Sequence, residues 1–174
     1  MEINMCLKEN PSGINKQLQE LAEKVVPNSG LDLYDVEYLL SKNILQITVV
    51  DNTTGAATDD DCQKVYNDFM PYLDELGWMP KGIGLKVSAP GMYRPLNRVD
   101  HFTWAKGHHA VVLLTKPLSD TEMPPEITGK DSIRVKILGA DMSGVIFAHE
   151  SFAFKLGYDE MKKANMDSDN LDLA

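Results

Sequence analysis

Apolar residues return at two different periods along this chain, and the changes of period mark its elements. Ile14, Leu18, Leu21 and Val25 recur every three or four residues, with Lys16, Gln17, Glu20, Glu23 and Lys24 on the other face. This is the pattern of an amphipathic helix. Asn10, Pro11 and Ser12 supply cap and first-turn chemistry for its start, and Pro27 and Gly30 mark its end. From residue 31 the period falls to two. Leu31 and Leu33 share one face while Val36, Tyr38 and Leu40 fall on the other, which predicts a bulge or strong twist around Tyr34. Leu45, Ile47 and Val49 line a second strand after the short turn Ser41-Lys42-Asn43, as in a hairpin.

A polar stretch follows, and then Thr58 stands three residues before Asp61, the spacing of a capping box. Asp59, Asp60 and Asp61 put negative charge where the helix dipole favours it. Cys62, Val65, Phe69, Leu73 and Leu76 form the apolar stripe of this second helix, Pro71 predicts a kink or a division, and Gly77 ends it. A third strand from Ile83 to Ser88 completes an αββαβ order, a two-layer α+β arrangement. Pro90 has no amide hydrogen and Gly91 tolerates positive φ, so the strand is predicted to stop there. Arg94 and Pro95 follow, and 92–96 reads as a proline-stiffened joint rather than a Gly/Ser-rich flexible linker.

Past the joint the texture shifts to short strands and turns. Asp100 to Lys106 suggests a turn of helix carrying Phe102 and Trp104, and His108 to Lys116 reads as a strand. Pro117 to Lys130 is a long loop. Ser132 to Leu138, Val145 to His149 and Phe152 to Leu156 add strands, and four or five of these with regular turns predict a small barrel. The expected organisation is therefore an α+β domain over 1–91, the joint at 92–96, a barrel over 97–166 and an acidic disordered tail over 167–174, with residues 1–9 frayed.

Composition sharpens this picture in three ways. With 174 residues and 43% hydrophobic content, the chain can bury one good-sized core or two small ones, and the joint favours two. Its longest apolar runs, such as Ala110 to Leu114, are far short of the about 20 residues that a spanning helix needs. The start Met1-Glu2-Ile3-Asn4 has no secretory pattern, and two isolated cysteines suit a reducing compartment, so a cytoplasmic location is expected. Net charge is −9, with 8 basic and 14 acidic residues up to Arg94 and 9 basic and 12 acidic thereafter. Phosphate binding is driven by cations, so this balance fits a basic protein partner better than nucleic acid, or else serves solubility alone.

Candidate chemistry is sparse. His108 and His109 are adjacent in a predicted strand and would point to opposite faces, and neither His101 nor His149 has metal-ligand spacing. Asp59 to Asp61 diverge around a helix and are explained by its start. Gly82-Ile83-Gly84 precedes a strand rather than opening a helix, so it is no phosphate loop. No catalytic constellation, metal site or cofactor motif appears. Arg94 is the strongest single candidate, with Asp35 and Glu37 as carboxylate partners in an interdomain salt bridge or, alternatively, as part of a partner-binding surface.

Several segments together resemble the bacterial ribosome maturation factor RimP family. They are Gly30-Leu31-Asp32-Leu33-Tyr34-Asp35-Val36-Glu37-Tyr38, Thr58-Asp59-Asp60-Asp61-Cys62, the run Leu85 to Leu96, and Lys162-Lys163-Ala164-Asn165-Met166. Lys86 stands where the family pattern has glutamate, and Ala89 where it has serine. The resemblance implies a KH-like αββαβ domain followed by an SH3-like or Sm-like barrel. It also implies a non-catalytic factor assisting assembly of the small ribosomal subunit. Its implied partners are the immature particle, a basic small-subunit protein near the decoding centre, and 16S rRNA. The factor is expected to act as a monomer with no cofactor and no membrane. Asp35, Glu37, Asp61, Pro90, Gly91, Arg94, Pro95, Arg134 and Lys136 are the expected partner-binding or interdomain residues. A stand-alone module for single-stranded RNA is the alternative, opposed by the charge and by scattered aromatics.

Overall fold

The computed structural model describes residues 7, 11–119 and 123–167. These form two compact units, 11–90 and 91–167 with Leu7. The expectations for Asn10, for the tail from residue 168 and, Leu7 apart, for the frayed N-terminus lie outside the described residues. Leu7 itself is not frayed, since its N–H donates to the Asn97 carbonyl at 3.1 Å and its side chain packs on the second core.

In the first unit, helix α1 (Ile14–Asn28) starts later than the cap residues suggested. Gly13 is its N-cap at φ 59, a left-handed conformation that glycine adopts without strain, and no side chain caps it. Pro27 lies inside the last turn rather than beyond it. Strands β1 (Asp32–Leu39), β2 (Ile44–Val50) and β3 (Gly84–Ser88) form a sheet in the order β1-β2-β3. The first pair is antiparallel, while β3 runs parallel to β2 and so requires a crossover, which helix α2 (Asp59–Glu75) supplies. The register slips between Leu33 and Asp35, which makes Tyr34 the extra residue, where the phase change predicted it. The slip puts Leu33, Val36 and Tyr38 opposite Val49, Ile47 and Leu45, so both halves of β1 face the same core.

Helix α2 opens with a complete capping box: Asp61 N–H donates to Thr58 Oγ1 at 3.1 Å and Thr58 N–H donates to Asp61 Oδ2 at 3.0 Å. It continues without interruption through Pro71, so it is not divided there. Val65 and Phe69 are fully buried, and Cys62, Leu73 and Leu76 pack at the margin. Asn43, at φ 52, locks the hairpin turn to the approach of β3. Its amide accepts from Tyr38 Oη at 2.6 Å and donates to the Lys81 carbonyl at 2.9 Å.

The second unit begins with a short helix α3 (Val99–Trp104), followed by β4 (His109–Leu114), β5 (Ser132–Asp141), β6 (Gly144–His149), β7 (Phe152–Leu156) and β8 (Met161–Asp167). All pairs are antiparallel, in the order β7-β6-β5-β4-β8. Three expectations are corrected. The sheet has β7 and β8 as its two edges, so it does not close into a barrel. His108 precedes the strand instead of belonging to it. Asp167 is the last residue of β8, opposite His109, and not the start of a tail. The core is built from Leu96, Phe102, Val112, Ile137, Phe147 and Leu156 with their neighbours. Gly144 is dictated by packing, since a Cβ there would stand 2.3 Å from the Leu156 carbonyl oxygen.

Candidate functional site

The segment that follows Pro90 is structured by its own unit. Leu96 N–H donates to the Ala164 carbonyl at 2.9 Å and Met166 N–H donates to the Arg94 carbonyl at 2.9 Å, so 94–96 lies along the outer edge of β8. Pro95 sits opposite Asn165 between these two bonds, at a non-hydrogen-bonded position where a proline loses nothing by lacking an N–H. Leu96 is then fully buried. Asn165 Nδ2 donates to the Tyr93 carbonyl at 3.1 Å, and Arg94 Nε donates to the Gly91 carbonyl at 2.8 Å. Arg94 and Pro95 thus shape a loop whose tip, Met92 and Tyr93, is exposed.

Just beyond, Arg98 and His101 are buried together, 4% and 1% exposed. Arg98 Nε donates to His101 Nε2 at 3.0 Å, and the backbone N–H of Asn97 points at His101 Nδ1, also at 3.0 Å. A neutral imidazole has one lone pair, so only one of these contacts is a hydrogen bond at a time; an imidazolium would have none to offer either donor. The guanidinium carbon of Arg98 lies 5.3 Å from the centre of the Trp104 ring, a cation–π distance. This cluster fixes the geometry after the loop and leaves no imidazole nitrogen for acid–base work.

The carboxylates singled out in the first unit have defined places. Asp35 and Glu37 project from the face of the sheet opposite the core, level with Thr48 and Gln46 of β2. In the same lateral rows β3 contributes Ser88 and Lys86, so Lys86 shares its row with Glu37 across Gln46. Asp35 Oδ1 accepts from the Val36 N–H at 2.9 Å. Asp61 is committed to the capping box. In the second unit Arg134 and Lys136 both face outward from β5. Arg134 Nε donates to Asp167 Oδ2 at 2.9 Å, a partly exposed ion pair that spans β4 and ties edge strand β8 to β5.

Other polar groups do not assemble a reactive centre. At the β5–β6 turn, Asp141 Oδ1 accepts from the Ser143 N–H at 2.8 Å, the Ser143 hydroxyl at 2.6 Å and the Gly144 N–H at 3.1 Å. Lys155 Nζ approaches Ser143 Oγ at 2.5 Å. Serine beside lysine invites a nucleophile–base reading, but all three side chains are exposed and the two nearest amides are already spent on Asp141. The bonds from Ser143, first its hydroxyl and then its amide, hold the Asp141 carboxyl down at about 2. Burial raises the Cys62 thiol above its usual value, and Asp59 and Asp61 push the same way, so it is a poor nucleophile. His149 Nε2 stands 3.9 Å from Glu126 Oε2, beyond hydrogen-bond length. Among the described residues no three His, Cys, Asp or Glu side chains are placed to hold a metal ion, and no helix is long and apolar enough to cross a membrane.

Comparison with known families bears on the first unit directly. Residues 21–93 match the family model of the RimP N-terminal domain. The match identifies this unit as a RimP N-terminal domain. RimP is a family of ribosome maturation factors, which implies a ribosome-related partner in general terms. The match runs from within α1 through α2 and β3 to Tyr93, so it covers the αββαβ unit.

Two features escaped the sequence reading. Strand β8 was hidden because Met161 and Ala164, its buried residues, are three apart, a spacing that does not alternate. A bulge at Lys162, between the pairs Leu114–Met161 and Leu113–Lys163, accounts for it. The same phase-change signature that located Tyr34 would have found it. The Arg98–His101–Trp104 cluster left no such trace, because its members fall on a six-residue helix too short to show a period.

Proposed function

We propose that this chain is a non-catalytic, cytoplasmic factor for maturation of the small ribosomal subunit. It binds the immature particle and a basic small-subunit protein near the decoding centre, with 16S rRNA as a further contact. The observation that carries the reading is the match of residues 21–93 to the RimP N-terminal domain. The charge supports it: residues 11–90 hold 12 acidic and 6 basic side chains, a surface that suits a basic protein and repels phosphate. We read the first unit as KH-like, from its αββαβ order, and the second as SH3-like or Sm-like, from its five short antiparallel strands. Asp35 and Glu37 are the proposed carboxylates for the basic protein, and Arg134 and Lys136 a proposed second contact to protein or rRNA of the particle. Pro90, Gly91, Arg94 and Pro95 shape the loop leading to it, and Asp61 acts through the helix it caps.

The test is capture of basic small-subunit proteins on the immobilised chain at increasing salt. Binding that falls steeply between low and physiological ionic strength, and that weakens in Asp35→Asn/Glu37→Gln, is expected. Salt-independent capture points to an apolar interface and contradicts the charge argument. Tight retention of bare 16S rRNA in filter binding, without protein present, would favour the RNA-binding module instead.

A further inference from the structure

The outward face of β8, β4 and β5 forms a grid fixed by register. Across the three strands the rows read Asp167–His109–Lys136, Asn165–Val111–Arg134 and Lys163–Leu113–Ser132. Val111 and Leu113, each 38% exposed, make an aliphatic centre line along β4. The bulge adds a fourth cation, since Lys162 is the extra residue beside Lys163. The one carboxylate on the grid, Asp167, is tied to Arg134. Lys136, Lys162 and Lys163 are exposed and take part in no ion pair among the described residues. A chain of net charge −9 therefore presents one face on which unneutralised cations flank two aliphatic side chains.

We propose that this face docks an acidic polypeptide segment that carries aliphatic side chains between its carboxylates. This assignment does not rest on the reading of the first unit. Two physical features select the occupant. The cations flank the centre line on both sides, on strands two spacings or roughly 10 Å apart, so carboxylates on either side of a bound segment meet ammonium groups while its middle is dehydrated. Val111 and Leu113 are two residues apart on one strand, roughly 7 Å, which is also the repeat of same-side residues in an extended peptide. Nucleic acid fits less well. Its bases seek aromatic platforms, and none of the nine grid positions is aromatic except the imidazole of His109.

The experiment uses the full chain and a fluorescein-labelled peptide whose two leucines, two residues apart, are bracketed on both sides by runs of aspartate, followed by anisotropy. Saturable binding is expected, with Lys136→Glu/Lys163→Glu weakening it at least tenfold and Leu113→Ser about fivefold. Lys16→Glu, on α1 in the other unit, should leave it unchanged. Each variant is first shown to unfold at the wild-type temperature, and should Leu113→Ser fail this, Val111→Thr takes its place. No binding, or binding that is indifferent to the lysine reversals, overturns the proposal. Tighter binding of a labelled 20-mer of uridine than of the peptide reassigns the face to RNA and overturns the occupant. Concentration-dependent self-association abolished by the same reversals would make the occupant a second copy, also against the proposal.

Discussion

The two units solve one problem, covering the apolar face of a small sheet, in different ways. The three-stranded sheet is covered by two long helices, α1 and α2, whose buried stripes meet Leu45, Ile47 and Val49. The five-stranded sheet is covered by shorter pieces: the six-residue α3 with Phe102 edge-on to Phe147, the turn of helix that buries Ile127, and the segment that buries Leu96. The first solution leaves one sheet face outward with Asp35, Glu37 and Lys86 upon it; the second leaves outward a face rich in lysine. Charge follows the same division, strongly acidic in 11–90 and balanced in 91–167. A helix-covered unit with an acidic exterior and a β-rich unit with a cationic face are suited to different partners, and that is the physical content of the functional proposal.

The largest effects should come from the centres of the two cores. Phe69→Ala and Phe147→Ala each remove a fully buried ring and should cost about 3–5 kcal/mol. With Trp78 reporting the first unit and Trp104 the second in single-tryptophan variants, the urea midpoint of the mutated unit should fall most. Equal shifts at both reporters in both variants would contradict two separate cores. Gly144→Ala comes next, at about 1–3 kcal/mol, because the added methyl meets backbone that has no side-chain freedom to yield. Thr58→Ala should cost about 1 kcal/mol by leaving the α2 amides uncapped, with Thr58→Asp restoring most of it.

How much of this was legible depends on period. Where an element is long and its burial follows one repeat, as in α1, α2 and β2, residue spacing located it, and even the Tyr34 bulge was visible as a slipped phase. Where a slip falls in a strand with only two buried positions, or an element is short, spacing fails. Strand β8 is bulged at Lys162, and 94–96 pairs with it through only one bridge, too little to register as a strand. The role of Pro95 illustrates the point: proline reads as a stiff joint from sequence, and only the pairing shows that its missing N–H faces away from β8. The capping box was legible because it depends on two residues at a fixed spacing. Cations of the grid such as Arg134 and Lys136 stood out in the sequence, but the face they share with Val111 and Leu113 did not, because its members come from three strands far apart in sequence.

The smallest effect is local to the β5–β6 turn. Asp141 titrates at about 2 when folded, below the 3.8 of the free side chain. Its folded-state carboxyl is depressed, so whatever it contributes is present above pH 3.8 and lost as pH falls toward 2. Ser143→Ala should raise its value toward 3.8, read by carboxyl NMR, with little change in stability at pH 7. An unmoved titration would show that the Ser143 hydroxyl is not what holds it.

The most direct measurement of the central claim is cosedimentation of the chain with immature small subunits, mature small subunits and whole ribosomes on sucrose gradients at physiological salt. The account predicts that the chain travels with immature particles in preference to the other two, and that Asp35→Asn/Glu37→Gln releases it. A chain that stays at the top of all three gradients, or distributes equally among them, would contradict a maturation role.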